Sequence, residues 1–281
     1  MKKNKMMRSA SALLVMTLLT TSVISGTFAK YTTAASATDT ARVAKWGVTV
    51  GTSGKLFDTQ YAEDDTTTDT IAYSVIADDN TSVVAPGTKN ADGITFTITG
   101  TPEVAVDVEV KVTGANSAET ATDIYLKTGK YADLTTGTSS ATVNGTTNTN
   151  GDKDILDLTS DYYPVVYTLK DDQGNELVTN GRLSDVEAYL ENLSGRYPAN
   201  TNLATGLGSN SSKSTNGSYV LTWAWVYNEN DAADTLLGNL AADSSILAKG
   251  DGTSEFTELT ATTDYNLQTT VAVSIKVTQV D

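Results

Sequence analysis

An all-β protein, an antiparallel jelly-roll/β-sandwich with one or two short helices and long surface loops, is the fold that this sequence predicts. Three observations predict it. Apolar and polar residues alternate over long runs, as in Val104 to Val112 and Val271 to Val277, which is the period-two signature of a strand with one buried face. Only one segment, Ser184 to Leu193, carries a strong helical stripe. No unit recurs at a fixed period, which sets solenoids and propellers aside.

Taken from the start, Lys2, Lys3, Lys5 and Arg8 precede an apolar run from Ala12 to Ile24, the layout of a secretion signal. That run is shorter than the roughly twenty apolar residues of a membrane span. Thr27 and Ala29 are small residues suited to the −3 and −1 positions of a cleavage site, so residues 1–29 read as a signal peptide and the mature chain begins at Lys30. Residues 30–40 are mostly Thr, Ala and Ser and have no evident fold of their own. Residues 41–281 read as one β domain.

Within that domain, Ala44, Trp46, Val48 and Val50 are expected on one face of a first strand, with Trp46 in the core. Glu63 to Asp69 reads as a solvated acidic loop before Ile71, Tyr73 and Val75. Pro86-Gly87 suits a type II turn, because glycine supplies positive φ at its third position. Ile94, Phe96 and Ile98 alternate with threonines, and valines alternate strictly from Val104 to Val112. The polar residues between these valines predict a sheet covered on one side only.

Two stretches, 116–160 and 200–217, are rich in Thr, Ser, Gly and Asn and are expected as loop insertions, the first with a hairpin at Asn144-Gly145. Between them, Ser184 and Glu187 form a capping box for a helix whose stripe is Val186, Tyr189, Leu190 and Leu193. Tyr219, Leu221, Trp223, Trp225 and Tyr227 share one strand face, and aromatic residues at that density predict core anchors at Trp223 and Trp225. One or two helical turns follow near Leu236 to Leu247, and Leu267 to Val280 closes the chain as a strand.

Composition narrows the function. Loss of residues 1–29 leaves 15 Lys and Arg against 34 Asp and Glu, a net charge of −19, which argues against a nucleic-acid reader because phosphate binding needs clustered cations. There is no cysteine, so 252 mature residues fold without disulfides. There is no histidine either. A Ser-His-Asp or Cys-His nucleophile cannot be assembled, and the usual zinc sites are excluded. The pairs Asp64-Asp65, Asp78-Asp79 and Asp171-Asp172 are sequence neighbours, read as turn residues and not as an acid/base pair. No cofactor is expected. Calcium takes oxygen ligands only, and Asn150-Gly151-Asp152-Lys153-Asp154 resembles half of a calcium loop without its closing glutamate. An enzyme is not expected.

At Gly26-Thr27-Phe28-Ala29, Tyr31, Pro86-Gly87, Trp223-Ala224-Trp225 and Asp234-Thr235-Leu236-Leu237-Gly238 the chain resembles the TasA and camelysin family of secreted Gram-positive matrix proteins. The resemblance implies a jelly-roll subunit of a biofilm fibre that polymerises by donor-strand exchange after cleavage by a SipW-type signal peptidase. The donor would be Lys30, Tyr31, Thr32, Thr33, Ala34, Ala35, Ser36 and Ala37, filling a gap in the sheet of a neighbouring copy. The family's Thr/Ala-Phe-Phe-x-Asp start is represented here only by Lys30-Tyr31. The peptidase activity described for camelysin does not carry over to a chain without histidine.

Two functions follow as expectations. One is a secreted structural subunit whose partners are further copies of itself in a filament, the signal peptidase and other matrix proteins, with no nucleic acid and no membrane after processing. The alternative is a monomeric cell-surface adhesin or carbohydrate-binding β-sandwich, which would need exposed Trp or Tyr rings to stack on sugars.

Overall fold

The alternating runs fold as antiparallel strands. The computed structural model describes residues 42–61, 73–79, 81–114, 120–132, 139–143, 146–150, 155–208, 216–226, 231–242, 247–249, 257–258, 261 and 264–280. The chain divides into units at Met1–Val43 and Ala44–Asp281, and the second carries the strands described below.

Eight strands form the two principal sheets: β1 (Val48–Gly54), β2 (Lys89–Gly100), β3 (Val106–Thr113), β4 (Val165–Asp171), β5 (Glu176–Gly181), β6 (Gly195–Tyr197), β7 (Ser218–Trp225) and β8 (Ala272–Gln279). Five pair in the order β1-β2-β7-β4-β5 and three in the order β6-β3-β8, all antiparallel. Shorter strands, among them Gly129–Ala132 with Ile155–Leu158 and Ser139–Val143 with Thr146–Asn150, make smaller ladders. The described helices are α1 (Leu183–Glu191), α2 (Leu203–Gly206) and α3 (Asp231–Ala242). The protein is all-β with a few short helices, and none of the described sheets closes.

Period-two patterning decides which side chains are buried. On β7, Tyr219, Leu221, Trp223 and Trp225 point inward, while Ser218, Val220, Thr222 and Ala224 alternate with them toward the other face. Phe96 of β2 stacks on its cross-strand partner Tyr219 with ring centroids 5.1 Å apart. Val106, Val108, Val110 and Val112 of β3 join the same hydrophobic cluster as the inward residues of the large sheet. Each such side chain contributes roughly 1.5–3 kcal/mol by leaving water. Helix α1 covers this core, burying Leu183, Val186, Tyr189 and Leu190 against β3, β4 and β5.

One irregularity keeps that alternation in register. The side chain of Asn90 accepts from the backbone N–H groups of Asp92 and Gly93 and donates to the carbonyls of Lys55 and Leu56. The chain bulges there, and the β7–β2 register shifts between Leu221 and Trp223. Gly93 has φ +59, and a Cβ on it would lie 2.0 Å from the Leu221 carbonyl oxygen, so no other residue fits.

Several expectations are corrected here. The first strand begins at Val48 and leaves out Ala44 and Trp46, because Gly47 takes φ +58 and breaks the extended run. Trp46 therefore leaves the face of Val48 and is 41% exposed, outside the core. Its neighbour Lys45 instead accepts from the Glu103 N–H at its carbonyl and donates its own N–H to the Glu103 carboxylate. Helix α1 starts one residue early, since Leu183 is buried; Asp185, not Glu187, closes its first turn by accepting from the Arg182 N–H at 2.8 Å. The stretch 200–217 is not merely a loop: Asn202 caps α2 through the Ala204 N–H, and Leu203 and Leu207 are buried. Within 116–160, Ile124, Leu126, Tyr131 and Leu158 reach the core. Helix α3 is longer than one or two turns, burying Ala233, Leu236, Leu237 and Leu240.

Candidate functional site

The edges of the two sheets come together where β1 runs close to β8. Each pairs on one side only among the described residues, β1 with β2 and β8 with β3. Cross-strand partners share a face, so Val48 and Val50, opposite Gly100 and Ile98, face the core side. Val273, Ile275 and Val277, opposite Val112, Val110 and Val108, do so as well. Coverage is uneven: Ile98 and Val110 are closed off from solvent, whereas Val50 is 45% exposed and Val273, Ile275 and Val277 are half-buried. An unpaired strand edge lined by half-covered valines and an isoleucine can accept a further strand through backbone hydrogen bonds. The far edge of the large sheet is blunted. Strand β5 carries Glu176, a left-handed Asn180 at φ 47, and the contact with α1.

The signal-cleavage residues Thr27, Ala29 and Lys30 and the donor residues Lys30, Tyr31, Thr32, Thr33, Ala34, Ala35, Ser36 and Ala37 lie outside the described residues. So do Asp64-Asp65, Tyr227 and Gly151, Asp152, Lys153 and Asp154 of the half calcium loop. Trp223 and Trp225 are buried and cannot serve as a sugar-stacking platform. Among the described residues, no group of three acidic side chains is placed to hold a metal ion. No described helix is long and apolar enough to cross a membrane.

Buried polar groups have structural partners. Asp234, in the first turn of α3, accepts from the Tyr162 hydroxyl at 2.6 Å and the Trp225 indole N–H at 2.9 Å. Asp171 is buried in the turn after β4 and accepts from the N–H groups of Gln173 and Asn175 and from the Asn175 side chain; Gly174 supplies the turn's positive φ. This is the turn role expected of Asp171-Asp172.

Sequence spacing gave no sign of one cluster, because its members come from three separate segments. Arg182 lies 3.6 Å over the Tyr163 ring, Tyr163 meets Tyr125 at 5.9 Å, and Lys127 sits 5.0 Å from the Tyr125 centroid. Asp161 anchors it through Lys127 at 2.8 Å and the Thr128 N–H. The hydrogen bond from Lys127 holds the Asp161 carboxyl below its ordinary value of 3.8. A lowered carboxylate stabilises the fold above its unfolded value, and that contribution is lost as pH falls through the folded one. Asp161→Asn is expected to cost less than about 1 kcal/mol at neutral pH. In a pH series of melting temperatures, the gap to the parent should close below the carboxylate range.

The outward face of the large sheet is of a different kind. Thr49 pairs with Thr99, Thr97 with Ser218, and Thr168 with Thr222. The same face carries Lys89, opposite Ala224, and Lys170, opposite Val220 and paired with Glu176 at 3.3 Å. An open cleft of about 640 Å³ lies over its β7–β4 half, lined by Thr168, Val220 and Thr222 together with the charged Lys89, Lys170 and Asp172. All the aromatic rings of these strands point the other way, into the core.

The arrangement defines a β-rich protein with an open, apolar strand edge at β1 and β8. Compared with family models, curated proteins and solved structures, the chain matches none.

Proposed function

We propose that the chain is a secreted structural subunit of an extracellular, biofilm-matrix fibre, a jelly-roll sandwich that assembles by N-terminal donor-strand exchange. The observation that carries this reading is the open edge formed by β1 and β8, where Val50 is 45% exposed opposite a fully buried Ile98. A strand laid there would gain a ladder of backbone hydrogen bonds and cover the half-buried Val273, Ile275 and Val277. The segment from Lys30 to Thr40 suits the part, since its small β-branched and alanine side chains fit between two sheet edges. Cleavage after Ala29 would make that segment the new chain end.

The test compares the chain beginning at Lys30 with one beginning at Ala41 by electron microscopy. Filaments from the first and none from the second are expected. Equal polymerisation of both would rule out donation by the N-terminal segment.

A further inference from the structure

We propose that the two ends of the five-stranded sheet are complementary, so that the end carrying Ile76 on one copy seats on the end carrying Trp46 of the next. The inference rests on the fibre reading and adds to it a second contact between neighbouring copies, made beside the donor strand.

The placement of exposed apolar side chains carries the argument. Trp46 lies just past the last rung of the β1–β2 ladder, where Val48 pairs with Gly100, and Lys45 is bonded to Glu103 at the same end. The opposite end is reached where Gly54 pairs with Ile94 and Lys89 with Ala224. Exposed Val226 follows Trp225 there, whose N–H donates to the Thr88 carbonyl and whose carbonyl accepts from Gly87. The short ladder of Gln60–Tyr61 with Val75–Ile76 belongs to this end too, because Asn90 holds Lys55 and Leu56 and the Tyr61 ring meets Trp223 edge-on. On that ladder Ile76 is 65% exposed, and Tyr73 beside it is exposed as well. A seven-residue strand separates the two ends by roughly 20 Å, so a copy cannot cover one of its own patches with the other.

Charge decides that unlike ends meet. Exposed Asp78 and Asp79 follow Ile76, and the chain joining Tyr61 to Tyr73 holds Glu63, Asp64, Asp65 and Asp69 and no base. The cations at this end are Lys89 and Lys55, and Asp58 pairs with Lys55 at 2.7 Å. Two such ends would set carboxylates against carboxylates. The Trp46 end brings Lys45 beside Glu103, with Arg42 shortly before it in the chain. Contact between unlike patches repeats without closing, which gives a filament and not a dimer. The donor residues also precede Trp46 in the chain, so the copy that accepts them is tethered to this end. A handful of half-exposed side chains falls well short of the ~1,200 Å² that stable complexes bury. The contact therefore acts together with the donor strand, which supplies the high effective concentration.

Pelleting and electron microscopy of the chain beginning at Lys30 measure its critical concentration for filaments, with near-ultraviolet circular dichroism confirming that each variant is folded. Trp46→Ala and Ile76→Glu are each expected to raise it about tenfold, the scale of losing an anchor from an interface. Lys45→Glu should raise it too, and Asp78→Lys in the same chain should bring it back. Ala188→Glu, on the exposed side of α1, adds the same charge as Ile76→Glu and should change nothing. If Trp46→Ala or Ile76→Glu polymerises at the parent's critical concentration, or Asp78→Lys leaves the Lys45→Glu loss in place, the proposal is overturned and the donor-strand reading stands. Equal polymerisation of the Lys30 and Ala41 chains, with Trp46→Ala still weakening both, removes the donor strand and keeps this contact. A parent that forms no filament overturns both. Binding of the parent to phosphatidylglycerol vesicles that is lost in Trp46→Ala, with filaments unchanged, would overturn the contact in favour of a membrane surface.

Discussion

Trp223→Ala is expected to lower the unfolding free energy by about 3–5 kcal/mol, the range for removing a buried aromatic side chain. Trp223 is 2% exposed, and its ring lies 5.4 Å from Phe57 and 5.5 Å from Tyr61, the latter edge-on. Its indole N–H donates to the Leu56 carbonyl. The substitution therefore empties a cavity and also frees the Leu56 to Tyr61 segment from β7. Domains are typically stable by about 5–15 kcal/mol, so a large part of that margin would go. Chemical denaturation with circular dichroism measures it. Trp46→Ala is the matched control. With its ring 41% exposed, it should cost no more than about 1 kcal/mol, and a loss there equal to that at Trp223 would mean that the core has been placed wrongly.

The contrast between these two tryptophans shows where the sequence was legible. Trp223 and Trp225 sit inside a nine-residue alternation, Tyr219 to Tyr227, where one face must be buried whatever the partner strands are. Trp46 belongs to a shorter alternation containing Gly47, and a single positive φ at that glycine removes it from the face it shares in sequence with Val48. Period two predicts a face only while the backbone stays extended. A similar limit explains Leu203 and Leu207. Two apolar residues among Asn, Ser and Gly carry no periodicity, yet the Asn202 cap and one helical turn bring both into the core. The edge formed by β1 and β8 joins residues more than 200 positions apart, so the alternation of each strand was visible but their meeting was not. The outward threonines were legible as the polar half of each strand. Which of them become cross-strand neighbours depends on register, which local sequence does not state.

Asp234→Ala is expected to cost about 2–4 kcal/mol, and the reason lies in what it leaves behind. Asp234 is 6% exposed, and a single oxygen, Oδ1, receives both the Tyr162 hydroxyl and the Trp225 indole N–H. Removing it takes that acceptor from two donors, each of which costs about 1–3 kcal/mol when desolvated and unmet. The carboxylate also lies in the first turn of α3, where a negative charge opposes the helix dipole favourably by about 0.3–1 kcal/mol. Asp234→Asn separates the two contributions. An amide oxygen can still accept from both donors, so the loss should fall to about 1–2 kcal/mol, the charge-assisted share of the bonds plus the dipole. Hydrogen exchange gives a second reading: α3 amides should lose protection in Asp234→Ala before those of β3 and β4, because this carboxylate ties the helix to β7 through Trp225. If the amides of α3 and β4 lose protection together, the helix is held by the apolar contacts of Ala233, Leu236, Leu237 and Leu240, and the buried carboxylate is dispensable to its docking.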